Sequence, residues 1–188
     1  MNNKISAGSK LKLLNVARQS LNNFLKNGDQ IQFPTDTLEL KEKRAVFVTL
    51  RKSSNRNLLG CTGQSKPQYP LIEAVAKTVI SSAVNDSRFP SLKINELQDV
   101  LIEINVLSNL ALSKPENVEI GKHGLVIKKG KQRALFLPQV AISNGWDLRI
   151  FFEELCLKAD LPKGYWLDSK AKIYVFESEF WGEHEFSN

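Results

Sequence analysis

Cysteine is scarce in this chain: Cys61 and Cys156 lie far apart, and neither belongs to a Cys-x-x-Cys pair or a Cys/His cluster. That excludes a structural zinc site of ordinary spacing and points to two reduced thiols. Long apolar runs are missing too. No window holds the roughly 18 to 20 uninterrupted apolar residues of a membrane span, and Met1-Asn2-Asn3-Lys4 leads into no signal-type hydrophobic core. The expected compartment is therefore the cytoplasm, with no membrane partner. Also absent are Gly-x-Gly-x-x-Gly, the phosphate-loop Gly-Lys-Ser/Thr, His-Glu-x-x-His and Gly-x-Ser-x-Gly. Their absence removes support for nucleotide hydrolysis, zinc proteolysis and hydrolase-type serine chemistry. No cofactor and no metal is called for. The basic and aromatic strand pattern that stacks RNA bases is likewise lacking.

What is present suits one ordinary folded domain. At 188 residues, with 42% hydrophobic and 24% charged, the chain has enough apolar surface to offset the entropy of ordering it. A single domain over 1–188 is the expectation. The net charge of +6 favours encounters with anions without demanding nucleic acid. The one dense basic run, Lys128-Lys129-Gly130-Lys131-Gln132-Arg133, reads as a solvated hairpin tip that can at most touch phosphates.

Hydrophobic periodicity orders the chain. Leu14, Ala17, Leu21 and Phe24 recur at steps of three and four, which predicts a helix over about 9–27 ending near Asn27-Gly28. Ala45 to Leu50 is β-branched and apolar on both faces, as in a strand buried on both sides. Ser53 to Asn57 is a polar turn, so Leu58 to Gly63 should return as its hairpin partner. Pro70 opens a second helix whose stripe runs from Leu71 to Ala83, and Leu101 to Leu107 alternates as a strand. The second half repeats this plan: Leu125-Val126-Ile127, a basic turn, Ala134 to Leu137, a helix from about Leu148 to Ala159, and a closing strand Ile173 to Phe176. An internal duplication is expected from this order of elements, with halves at about 44–110 and 120–180. The most economical architecture is α+β, the two halves sharing one sheet.

Three segments stand out together: Val46-Phe47-Val48-Thr49-Leu50 followed by Leu59-Gly60-Cys61-Thr62-Gly63, then Asp86-Ser87-Arg88-Phe89-Pro90, then Gly121-Lys122-His123-Gly124-Leu125. With Ile102 to Ser108, Leu135 to Val140, Gly145-Trp146-Asp147 and Cys156 to Ala159, they span nearly the whole chain. In order and approximate spacing they resemble the AMMECR domain family. The resemblance implies two strand/helix repeats around a single barrel-like, largely antiparallel sheet. It also implies an association with Memo-like and radical-SAM proteins. The chain departs from the family at Leu59, where an arginine usually precedes the Gly-Cys pair, and at Thr62, which replaces an aliphatic residue.

Cys61 is the first candidate for chemistry. Gly60 and Gly63 bracket it where the backbone can bend and a ligand can approach. A thiol nucleophile needs a cation, a histidine or a helix N-terminus nearby. His123, Lys122 and Arg88 are the family-matching residues able to supply one. His123 lies on a glycine-flanked turn entering a strand, where imidazole serves as a base or tethers the loop. Arg88 with Asp86 either recognises a charged substrate or tethers its loop. Glu103 is either a general base or a salt-bridged member of its row. Cys156 belongs to the packed side of a helix. The leading expectation is a protein that acts on or holds a small molecule or a protein partner at a pocket near Cys61 and His123. Gly60, Gly63, Arg88, Glu103 and Lys122 are its binding residues. The competing expectations are a non-catalytic scaffold and a weak nucleic-acid binder using Lys128, Lys129, Lys131 and Arg133.

Overall fold

The first helix, α1 (Ala7–Asn27), is set by its ends. The Ser6 hydroxyl accepts from the Ser9 N–H at one end, and at the other Gly28 takes a left-handed φ of 80° that brings its N–H to the Phe24 carbonyl. The computed structural model describes residues 4–186. After α1 come α2 (Leu38–Lys41), β1 (Val46–Lys52), β2 (Leu58–Gln64), α3 (Leu71–Val84), β3 (Val100–Leu107) and β4 (Ala111–Leu112). The rest is β5 (Gly124–Lys129), β6 (Gln132–Phe136), α4 (Gln139–Asn144), α5 (Leu148–Lys158), β7 (Lys172–Phe176) and β8 (Ser178–Gly182).

These elements form two compact units, Met1–Leu107 with Glu179–Asn188, and Ser108–Ser178. In the first unit the strand order is β2-β1-β3-β8, with β1 antiparallel to both β2 and β3. Val46, Val48 and Leu50 point into a core shared with the apolar stripes of α1 and α3, whereas Phe47, Thr49 and Arg51 line the other, half-buried face. So β1 is central, but its two faces are unequal. An arginine fastens the C-terminal segment: Arg18 on α1 pairs with Glu183 and donates to the carbonyls of Leu97 and Val100. Trp181 of β8 is fully buried in this core.

The second unit orders its strands β4-β7-β5-β6, and β5 is antiparallel to both β6 and β7. Its helix α5 starts at Asp147, whose carboxylate accepts the Ile150 N–H at 2.8 Å, and buries Phe151, Phe152, Leu155 and Cys156. Phe152 stacks on Trp166 at 4.8 Å, and Phe136 on Phe151 at 5.9 Å.

The shared, barrel-like sheet does not form: among the described residues there are two open four-stranded sheets. The physical reason lies at the edges. A barrel requires the last strand to hydrogen-bond to the first. In the first unit the outer edge of β2 is taken up by side chains, and in the second the edge strand β4 is two residues long.

Candidate functional site

Cys61 sits on β2, opposite Thr49 of β1, which in turn lies opposite Glu103 of β3. The three side chains therefore form one row across the outward face of the sheet. The Thr49 hydroxyl donates to Cys61 Sγ at 3.3 Å, and Cys61 is half-buried. Its neighbours Gly60 and Gly63 are glycines for separate reasons. A Cβ on Gly60 would lie 2.0 Å from the Ser82 carbonyl oxygen of α3, and one on Gly63 would lie 2.1 Å from the Phe47 ring. The close approach of α3 also lets the Ser82 hydroxyl enter the β1–β2 ladder. It accepts from the Thr62 N–H at 3.0 Å and donates toward the Val48 carbonyl at 2.8 Å, bridging two residues that face each other in register. Thr62 Oγ1 is 3.0 Å from the same hydroxyl.

The Cys61 peptide is clamped from outside. Asp86 Oδ2 accepts its N–H at 2.8 Å, and Arg88 Nη2 donates to its carbonyl at 3.1 Å. Arg88 and Asp86 also pair with each other in two contacts, 2.9 and 2.7 Å. That pairing, with the Cys61 N–H second, holds the Asp86 carboxyl far below the usual carboxylate range. The bond to Asp86 raises the Arg88 guanidinium, and the charge of Cys61 acts on it in the same direction. Leu59, where the family's arginine is expected, packs instead against the core of the first unit.

Glu103 is 6% exposed and its carboxylate is bound by Arg51 at 2.8 Å, with Arg56 at 3.9 Å. Arg56 holds a left-handed φ of 62° at the hairpin tip, and its carbonyl accepts from Arg51. Two residues along from Glu103, Asn105 is equally buried and its Oδ1 has no hydrogen-bond partner. The sheet thus brings together Cys61, Gly60, Gly63, Arg88 and Glu103, and adds Thr49, Ser82 and Asn105.

His123 and Lys122 belong to the second unit. There His123 Nδ1 accepts the Glu119 N–H at 3.0 Å, Lys122 pairs with Glu119 at 2.9 Å, and the loop closes on itself. The bond from Lys122 lowers the Glu119 carboxyl. Cys156 is fully buried, and burial pushes its thiol up. Among the described residues no group of His, Cys, Asp and Glu is arranged to hold a metal ion, and no helix is long and apolar enough to cross a membrane.

The chain thus has two antiparallel four-stranded sheets and a Gly-Cys corner clamped by an Asp-x-Arg loop. The AMMECR1 family model matches residues 14–181, and the chain belongs to that family. Protein MK0488 of Methanopyrus kandleri is 39% identical over 181 residues, covering 92% of this chain and 87% of that protein. A protein of Aquifex aeolicus is 44% identical over 168 residues, 84% of this chain and 85% of its own length. The crystal structure of uncharacterized protein PH0010 from Pyrococcus horikoshii matches with a TM-score of 0.79 at 39% identity. It covers 91% of this chain and 89% of that one.

Proposed function

We propose that the Cys61 corner of the first sheet is a ligand-contact site at which the thiol serves as nucleophile or attachment point for a small polar molecule. The observation that carries this reading is the clamp on the Cys61 peptide. Both of its polar groups are held by side chains from another element, while Cys61 itself is only half-buried, with its thiol beside a hydroxyl donor. A merely packed cysteine needs no such support, and a reacting one gains from being held in place. Thr49 donates to the thiol, and Arg88 holds the peptide that carries it. Gly60 and Gly63 let α3 and the Phe47 ring close on β2 on either side of the thiol. Asn105 offers an acceptor, and Glu103 with Arg51 forms a charged flank. In the second unit, His123 keeps Nε2 as the ring nitrogen that can meet a ligand, with Lys122 beside it in sequence, and we propose that loop as a separate contact site. The family resemblance adds a setting: work alongside Memo-like and radical-SAM proteins, for which that resemblance is the support.

The test is iodoacetamide labelling of the folded protein at pH 7, with Cys61 and Cys156 quantified separately by peptide mass spectrometry. The expected result is Cys61 modified faster than free glutathione, slowed in Arg88→Ala and absent in Cys61→Ser. Labelling of Cys61 slower than glutathione would sink the nucleophile and favour the scaffold reading.

A further inference from the structure

One cavity lies within the first unit, lined by residues other than Cys61. Its volume is about 590 Å³, and it is bounded by α3, by Ser20 of α1 and by the irregular segment Gln30 to Thr35. That is the size range of small-molecule sites, roughly 300–1,000 Å³. Ile72, Ala76 and Ile80 present one side of α3 to it, and Phe33 closes the other side while packing on the core. The segment over the cavity is fastened at its ends. Asn23 donates to the Asp29 carbonyl at 2.9 Å, and Lys12 to the Thr35 hydroxyl at 3.3 Å.

Ser20 is a second, independent observation. It is 1% exposed, it lines the cavity, and its hydroxyl has no hydrogen-bond partner. A buried hydroxyl without a partner is costly, and it is retained most readily where something else completes it. The charged residues are more exposed and belong to the mouth, where Lys41 pairs with Asp36 at 3.3 Å and Lys77 with Glu73 at 3.6 Å.

We propose that this cavity binds a small amphipathic hydroxy compound. Its apolar body lies on Ile72, Ala76 and Ile80, the hydroxyl at its inner end meets Ser20, and its outer polar group lies at the mouth beside the ion-paired Lys41 and Lys77. Thiol chemistry has no part in it, so it stands or falls separately from the Cys61 site.

The experiment is an amide NMR titration with two probes of nearly equal size, 4-hydroxybenzoate and 4-methylbenzoate, on the wild type, Ser20→Ala and Cys61→Ser. The expected result is a saturable shift at Ser20, Ile72 and Ala76, with 4-hydroxybenzoate bound about fivefold more tightly, the worth of one hydrogen bond. Ser20→Ala should equalise the two probes and leave the thermal midpoint no lower, because it removes an unpartnered group. Cys61→Ser should change nothing. Absence of saturable shifts up to the probes' solubility, or a preference that persists in Ser20→Ala, overturns the proposal.

Discussion

The two units of this protein share a plan and differ in what they do with it. Each has a hairpin, then a helix, then a third strand antiparallel to the first strand of the hairpin. Each also lays a phenylalanine ring over a glycine on the neighbouring strand: Phe47 over Gly63 in the first, Phe176 over Gly124 in the second. The thiols part company. Cys61 is half-exposed on an edge strand with its peptide clamped, whereas Cys156 is fully buried in α5. The same order of elements therefore carries one thiol at a sheet edge in the first unit and one packed within a helix in the second. Position in the fold, more than residue type, decides how far each thiol is buried.

The sharpest way to break the comparison is at the glycines. Gly60→Ala puts a methyl group against the Ser82 carbonyl, and helix backbone cannot swing aside. We expect about 3 kcal/mol of destabilisation, measured by urea unfolding, together with loss of the Ser82 bridge. Gly63→Ala meets a phenylalanine ring at the half-buried face, which can rotate away. Its cost should be nearer 1 kcal/mol. Equal costs for the two would mean that α3 does not hold the Cys61 corner.

Exchanging each thiol for a hydroxyl sharpens the contrast. Cys156→Ser buries a hydroxyl among Phe151, Phe152 and Leu155, and should cost about 2 kcal/mol. Cys61→Ser keeps Thr49 as its neighbour and should stay within about 0.5 kcal/mol of wild type. In the native protein Cys156 should resist iodoacetamide until urea unfolds the chain, as its burial and raised thiol require. Labelling of Cys156 without unfolding would count against the packed core of the second unit.

The sequence made the scaffold legible to the extent that its signals are local. The stripes of α1, α3 and α5 and both hairpins follow from periodicity and turn residues, and all of them form. The division into two sheets was not legible, because it depends on which distant strand each edge meets. Thus β8 follows β7 in sequence yet lies beside β3 in the first sheet. Among the site residues, Cys61 and its glycines are marked by their own neighbours. Thr49 becomes visible only through strand register, and Ser82 only through the approach of α3 to Gly60. One signal for Ser82 was present, a small polar residue among the apolar positions of the second predicted helix, but nothing local said what it would bridge. The clamp was half legible. Asp86 and Arg88 are two residues apart and pair locally, whereas their hold on Cys61 spans 25 and 27 residues.

The smallest effect separates two ion pairs of the same chemistry, one in each unit. Asp86 is shielded, with 6% of its side chain exposed, and Glu119 is 63% exposed beside Lys122. Solvent and salt screen the second pair, so Glu119→Gln should change stability, and its dependence on pH, far less than Asp86→Asn does. Asp86 behaves differently because its folded carboxyl lies below its unfolded value. A depressed carboxyl contributes stability that is fully present above the ordinary value of 3.8 and is lost as pH falls through the folded one. Asp86→Asn should therefore be less stable than wild type at pH 5 to 7. The gap should close only in strong acid, well below 3.8, where the wild-type carboxyl takes up its proton. Urea midpoints of the two proteins from pH 7 down to pH 2 measure that gap. A gap already gone by pH 4 would mean that the clamp does not hold the carboxylate, and the support claimed for Cys61 would go with it.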